Sequence, residues 1–140
     1  MHDRLLAQPG YVLRRAANAM SAELSRRLGV LGLRATDASV LILLEESPGI
    51  TASAIGRAID IQRANMVPLL RRLEDAGLID KTPIDGKSQG LALTRSGRDT
   101  LAQAWTIIES FERELLERIP AEHRDHLLPA LTALWQGEDD

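Results

Sequence analysis

A chain of 140 residues is one ordinary domain, long enough to bury a core without staples. It holds no cysteine, which excludes disulfides, thiolate metal sites and cysteine nucleophiles. Aromatic content is only 3%, and Leu, Ala and Ile dominate, a balance that favours helices over a β-sandwich. No apolar run approaches the roughly 20 residues of a membrane span, and MHDRLLAQPGY lacks signal-peptide organisation. A cytoplasmic location is therefore expected. The net charge of -3 argues against binding nucleic acid through bulk charge, but the charge is unevenly spread. Between Thr51 and Arg98 stand eight Arg or Lys against five Asp or Glu; elsewhere there are nine against fifteen.

The first predicted helix runs from Leu5 to Leu28 and is interrupted near Pro9-Gly10. Its stronger part starts at Tyr11, with Val12, Leu13, Ala16, Ala17, Met20, Leu24 and Leu28 at helical spacing. Gly29 and Gly32 break the chain, so Val30 to Leu33 is a connector. Thr36 to Glu46 is a second helix burying Val40, Leu41, Leu43 and Leu44, and Ser47-Pro48-Gly49 is a turn. Thr51 caps a short third helix, Ala52 to Ile59, by accepting from amides of its first turn. Only Asp60 to Gln62 then separates it from the next helix. So short a link gives a helix-turn-helix, with Ile61 beneath the turn.

That next helix lies within Ile61 to Gly77, IQRANMVPLLRRLEDAG. Met66, Leu69, Leu70 and Leu73 form one apolar stripe at i, i+3, i+4 and i+7. The outward side is expected to carry Arg63, Asn65, Val67, Pro68 and Arg72. Arg and Asn read base edges in a major groove or grip phosphates. Pro68 either kinks the helix, if it starts at Arg63, or sits harmlessly in its first turn, if it starts near Asn65. Leu78 to Asp85 and Gly90 to Thr94 read as a hairpin whose tip, Asp85 to Gly90, is rich in turn formers and carries Lys87.

Ser96 to Ile119 is the longest predicted helix. Leu101, Trp105, Ile108, Phe111, Leu115 and Ile119 keep near-heptad spacing, opposite a charged face of Glu109, Glu112, Arg113, Glu114 and Glu117. Pro120 ends it and opens a last helix, Ala121 to Trp135, with Leu127, Leu128, Leu131, Leu134 and Trp135 apolar. These flanking helices have too few partners in one small domain. They are expected to bury one another across the two-fold axis of a homodimer.

The order of parts and LLRRLEDAGLIDKTPIDGKSQGLALTRSGRDTL, Leu69 to Leu101, resemble the MarR family of bacterial winged-helix transcriptional regulators. The pattern is a Leu-Glu pair, Gly-Leu-Ile, a wing containing Asp, then Leu-Thr, two residues and Gly. GITASAIGRAIDI, Gly49 to Ile61, matches the preceding helix of that family. The resemblance implies a mainly α fold with a small β-hairpin wing, residues 1–140 forming one domain. Residues 33–95 would be the winged helix-turn-helix lobe, with dimerisation helices in 11–32 and 96–136. It places DNA contacts on Gln62, Arg63, Ala64, Asn65 and Pro68. Thr51, Ser53, Arg72 and Ser88 complete the expected contact set. Asp85 and Lys87 fall where the family has an Asp and an Arg at the wing tip, the Arg entering the minor groove. Lys is a strongly hydrated point charge without the planar fork, so phosphate contact or shallower entry is expected here. The Pro68 position resembles peroxide-sensing members, whose N-terminal cysteine this chain lacks.

Other chemistry is thinly represented. His123 and His126 at i, i+3 read as a solvated face, so no metal is expected, and no cofactor either. No Ser-His-Asp order, phosphate loop or paired catalytic carboxylates appear, so no enzyme is expected. Family members bind aromatic acids or other lipophilic effectors between dimer helices and DNA-binding lobe. The resemblance would line such a pocket with Tyr11, Arg14, Arg15, Met20, Leu41 and Trp105; the alternative makes these core, interface or solvated residues. The function implied is a homodimeric repressor on a pseudo-palindromic stretch of double-stranded DNA. The rival reading is a winged-helix protein-interaction module without DNA, which would favour an apolar or acidic face where Arg63 and Asn65 stand.

Overall fold

The computed structural model describes residues 3–86 and 89–136. Seven α-helices and one antiparallel hairpin follow in the order α1 (Asp3–Leu6), α2 (Pro9–Leu28), α3 (Ala35–Glu46), α4 (Ala52–Ala58), α5 (Arg63–Asp75), β1 (Ile79–Pro83), β2 (Gln89–Leu93), α6 (Arg95–Arg118) and α7 (Arg124–Thr132). Short 3-10 turns occupy Gly29–Leu31 and Ala121–His123. Two compact units divide the chain within α6, residues 1–107 and 108–140.

The expected interruption falls at Ala7 and Gln8, between α1 and α2, and Pro9 starts the second helix. It sits in the first turn of α2, where a missing N–H costs nothing and a fixed φ helps. Gly32 ends the following 3-10 turn with φ 72°, a conformation that suits glycine. Ser25 on α2 accepts from the Ala35 amide at 2.9 Å, tying the two helices where α3 begins. Glu23 lies between Arg26 and Arg27 on α2 and accepts from both, at 2.7 and 3.0 Å. These hydrogen bonds, Arg26 first and Arg27 second, lower its carboxyl to about 2.

The core of the first unit is aliphatic. Leu28, Leu33, Val40, Leu41, Leu44, Ile55, Met66, Leu73, Ile79 and Leu101 are buried in it. Into it α3 sends one charged group, Asp37, only 1% exposed. One carboxylate oxygen accepts from the Arg34 amide at 2.7 Å, satisfying a free donor at the start of α3. The other takes the Arg72 guanidinium of α5. Two helices far apart in sequence are thus pinned by a buried charge.

The hairpin pairs Ile79 with Leu93 through Pro83 with Gln89. It gains a third, one-residue rung. Gly49 donates to the Leu91 carbonyl and Leu91 donates to the Ile50 carbonyl, both at 2.9 Å. Gly90 is pressed against this turn: a Cβ there would lie 2.1 Å from the Gly49 oxygen. The Leu-Thr-x-x-Gly stretch has an equally local cause. Thr94 Oγ1 accepts from the Gly97 amide at 2.9 Å, capping α6, and donates to the Gly77 carbonyl at 2.6 Å. Gly97 packs so closely that a Cβ would stand 2.0 Å from the Leu78 oxygen.

Along α6 the buried line is Leu101, Ala104, Ile108 and Phe111. Trp105, expected on that stripe, is 44% exposed. The small Ala104 takes the inner position, and a neighbouring residue about 100° further round the helix cannot share it. In the second unit α7 begins at Arg124, after the 3-10 turn that holds His123. Pro129 sits inside α7, and the helix ends at Thr132, short of the expected Trp135. Leu128 is 74% exposed, and Leu134 and Trp135 are exposed too.

Four outcomes follow for stability. Gly97→Ala should cost about 1–3 kcal/mol by urea unfolding, because backbone must move to admit a methyl. Gly10→Ala, with nothing near its would-be Cβ on helical backbone, should instead gain about 0.5–1 kcal/mol. Arg72→Met leaves Asp37 buried and uncompensated. Its cost should approach about 3 kcal/mol, the low end for a broken buried pair because Arg72 itself is part-exposed; Arg71→Met should stay within about 0.5 kcal/mol. The Glu23 carboxyl is lowered on folding, so its contribution is present above the ordinary carboxylate pKa and lost as pH falls from about 4.5 towards 2. Urea midpoints taken across that window should fall less steeply in Glu23→Gln.

Candidate nucleic-acid interface

The site is built on how α4 and α5 meet. Thr51 Oγ1 accepts from the Ala54 amide at 3.2 Å, so the expected cap of α4 is present. The helix ends at Ala58 with Ile59 as its C-cap, and Asp60 then takes φ 55°. Left-handed backbone is uncommon outside glycine, and Asp is among the residues that tolerate it. The chain doubles back so tightly that the Ile61 amide reaches the Gly56 carbonyl at 2.9 Å. A Cβ on Gly56 would lie 2.9 Å from the Ile61 oxygen and 3.3 Å from Met66, so close approach of α4 to α5 requires glycine there. Ile61 is half-buried under the turn.

Gln62 stands at the N-cap of α5 without a side-chain hydrogen bond to it, and the first turn holds no acid. The helix begins at Arg63, so Pro68 lies inside it. It deletes the bond that the Ala64 carbonyl would accept. Ala64 faces solvent, so water or a ligand can satisfy that oxygen. Met66, Leu69, Leu70 and Leu73 are buried as the stripe requires. With 100° per residue, the line opposite them is Ala64, Pro68, Arg71 and Asp75, all exposed.

The expected contact residues are distributed unequally. Gln62, Arg63, Ala64, Asn65 and Pro68 are exposed together on the first turns of α5. Ser53 is exposed on α4, and its hydroxyl accepts from Arg57 at 3.0 Å. Thr51 is half-buried with its oxygen used as a cap. Arg72 stands on the flank facing α3, held by Asp37. Asp85 is exposed on the wing, while Lys87 and Ser88 lie outside the described residues. Two cations were passed over. Arg71 was hidden by its neighbour, and only the helical angle separates them. Arg57 follows Ser53 by one turn, a spacing that marks a shared face.

Between α4 and α5 opens a cleft of about 530 Å³, walled by Ser53, Arg57, Arg63 and Val67 over Gly56 and Met66. A second cleft, of about 300 Å³, lies on the other flank of α5 between Thr36, Asn65, Pro68 and Arg72. The surface as a whole is a helix N-terminus free of acids, flanked by guanidiniums, with amide and hydroxyl groups between them. Such a surface attracts phosphate oxygens and presents hydrogen-bonding side chains to base edges.

The six residues expected around an effector line neither cleft. Tyr11 and Met20 are half-buried, and Arg14 and Arg15 are exposed, the Arg14 guanidinium 5.9 Å from the Tyr11 ring centre. Leu41 is fully buried: its place on α3 points it into the core, where it cannot face a pocket in this chain alone. His123, 3.9 Å from Glu122, is exposed. No described helix is long and apolar enough to cross a membrane.

Comparison with known proteins places these features. The MarR family profile matches residues 33–87, which span the helix-turn-helix and most of the wing. The HTH-type transcriptional repressor Mb2911 of Mycobacterium bovis is 30% identical over 114 residues, covering 80% of this chain and 82% of that protein. Among solved structures, the transcriptional repressor CouR bound to a 23-mer DNA duplex superposes with a TM-score of 0.85 at 34% identity, over 93% of this chain and 94% of that one. CouR bound to p-coumaroyl-CoA gives 0.87 at 31%, over 98% and 99%. Fold, helix-turn-helix and sequence agree, and the chain belongs to the MarR family of transcriptional regulators.

Proposed function

We propose that this protein is a homodimeric repressor that binds a pseudo-palindromic operator through α5 and the wing. The observation that carries the reading is the exposed first turn of α5. Gln62, Arg63 and Asn65 stand there with no acid among them, on a helix pressed outward by its own apolar stripe. A protein-docking winged helix would gain nothing from this polar, cationic face. The relatives named as repressors, and CouR bound to duplex DNA, support the same reading.

We assign residues 33–95 to the DNA-binding lobe, and 11–32 and 96–136 to dimerisation. Each unit leaves apolar side chains in water that a second copy would cover. Val12 and Leu13 are exposed in the first, Leu128, Leu134 and Trp135 in the second. Two-fold symmetry then sets the reading helices one turn of duplex apart, about 34 Å. We give Arg72 a structural part and assign a phosphate contact to Arg71 in place of its expected DNA contact. An aromatic acid or its acyl thioester is the proposed effector class, supported by CouR bound to p-coumaroyl-CoA. Tyr11, Arg14, Arg15, Met20 and Trp105 are the proposed lining, Arg being the natural partner of an anionic group. Release requires that the effector bind the non-operator arrangement better than the operator one.

A gel shift of the purified protein against its own upstream region tests the function. A retarded complex that weakens steeply with salt is expected, and no complex at low salt would refute it. Arg63→Ala should lose about 1–3 kcal/mol of binding and relax sequence preference. Lys87→Ala and Arg71→Ala should each weaken all sequences alike and lower the salt slope by about 1, as loss of a phosphate contact does. A change of sequence preference in Lys87→Ala would instead show the wing reading bases.

A further inference from the structure

The line of α5 directly opposite its buried stripe is apolar at Ala64 and Pro68, with Val67 beside it on the flank towards α4, and it becomes cationic at Arg71. Ala64, Val67 and Pro68 are exposed, and Arg71 follows. Val67 is 53% exposed. A β-branched aliphatic residue is a poor choice for a solvated helix position, since it gains nothing by burial and loses rotamer freedom. Val67 also walls the larger cleft beside Gly56, Met66 and Leu70, while Arg57 and Arg63 stand at the rim. Among the described residues Asp60 is the one carboxylate lining that cleft, against Arg57 and Arg63. The result is a narrow apolar strip between cations.

Duplex DNA offers a complement to such a strip. Phosphates meet the arginines, and the apolar group on a major-groove base edge is the C5 methyl of thymine. A protein partner would be matched by a broad apolar face. This strip is about one side chain wide and bounded by charge.

We propose that Val67, with Ala64 beside it, reads thymine methyl groups in the operator half-site. The inference rests on the DNA-binding reading and adds to it a sequence class: each half-site carries thymine under the second turn of α5. Val67 thereby becomes a specificity-determining residue, though it offers no hydrogen bond.

The test uses the full chain. Duplexes are selected from a random library, and the Kd of the enriched site is measured with each thymine replaced in turn by deoxyuridine, which removes only the methyl. The native protein should lose about fourfold in affinity at one thymine, or an adjacent pair, per half-site. Val67→Ala should lose less than about twofold at the same position while keeping its response elsewhere. It should fold at least as well, alanine being the better helix former. Val67→Thr, which keeps the shape but trades a methyl for a hydroxyl, should fall between the two. Deoxyuridine without effect anywhere, or with equal effect in native protein and Val67→Ala, would overturn the inference and leave DNA binding intact. A library yielding no bound duplex would overturn the DNA-binding reading and this inference with it.

Discussion

Burial of four side chains on α5 decides what the molecule can present. Met66, Leu69, Leu70 and Leu73 are taken from water, each worth about 1.5–3 kcal/mol. Together they outweigh the roughly 3 kcal/mol that a proline inside a helix costs. Pro68 is therefore tolerated where propensity alone would forbid it, and the carbonyl it orphans belongs to an exposed residue. Once that stripe faces inward, the helical angle assigns every other residue. Ala64, Pro68 and Arg71 go outward, Val67 towards α4, and Asn65 and Arg72 towards α3.

Apolar burial sets the rotation of α5 but fixes its axis weakly, because an aliphatic surface can slide. Polar and steric ties supply the axis. Asp37 holds Arg72 from one side, and Gly56 lets the turn at Ile61 close against α4 on the other. At the far end, Thr94 bonds the Gly77 carbonyl just beyond α5 and caps α6 with the same oxygen. None of these needs to add much net stability; a buried ion pair rarely beats an apolar one of equal shape. Their effect is to leave one arrangement in which all polar atoms are satisfied. A reading helix must be placed to a fraction of an ångström, so geometry held by hydrogen bonds is worth more here than extra burial.

Much of this was legible in the residues because its causes are local. Thr51 caps α4, the stripe of α5 repeats at helical period, and turn formers separate two short apolar strands. The Leu-Thr-x-x-Gly pattern was legible as a pattern and became physics only with Thr94 and Gly97 in place. What escaped notice depends on distant partners or on small angles. Nothing near Asp37 announces a guanidinium thirty-five positions later. Gly49 reads as the end of a turn, and Ile50 carries no strand signal, because their partner, Leu91, lies beyond two helices. Arg71 and Arg72, like Ala104 and Trp105, are neighbours whose fates split on one step of rotation. Leu41 was legible as core within its own helix, and only the family resemblance drew it towards a pocket.

Charge distribution bears on how such a protein would find one sequence among many. Residues 108–140 carry three Arg against nine Asp or Glu, so the whole deficit of the chain and more lies in the second unit. Residues 1–107 carry fourteen Arg or Lys against eleven Asp or Glu. A body only weakly cationic where it would touch DNA, and acidic elsewhere, gains less from phosphates than a strongly basic one would. Its affinity for arbitrary duplex, which arises almost wholly from counterion release, is held low. Contacts to base edges then account for a larger share of the total. Because regulation depends on the ratio of specific to non-specific binding, modest charge near the reading helix raises selectivity at the expense of raw affinity. The exposed apolar side chains on α5 fit that balance, since a methyl contact discriminates between bases while adding no attraction for the phosphate backbone.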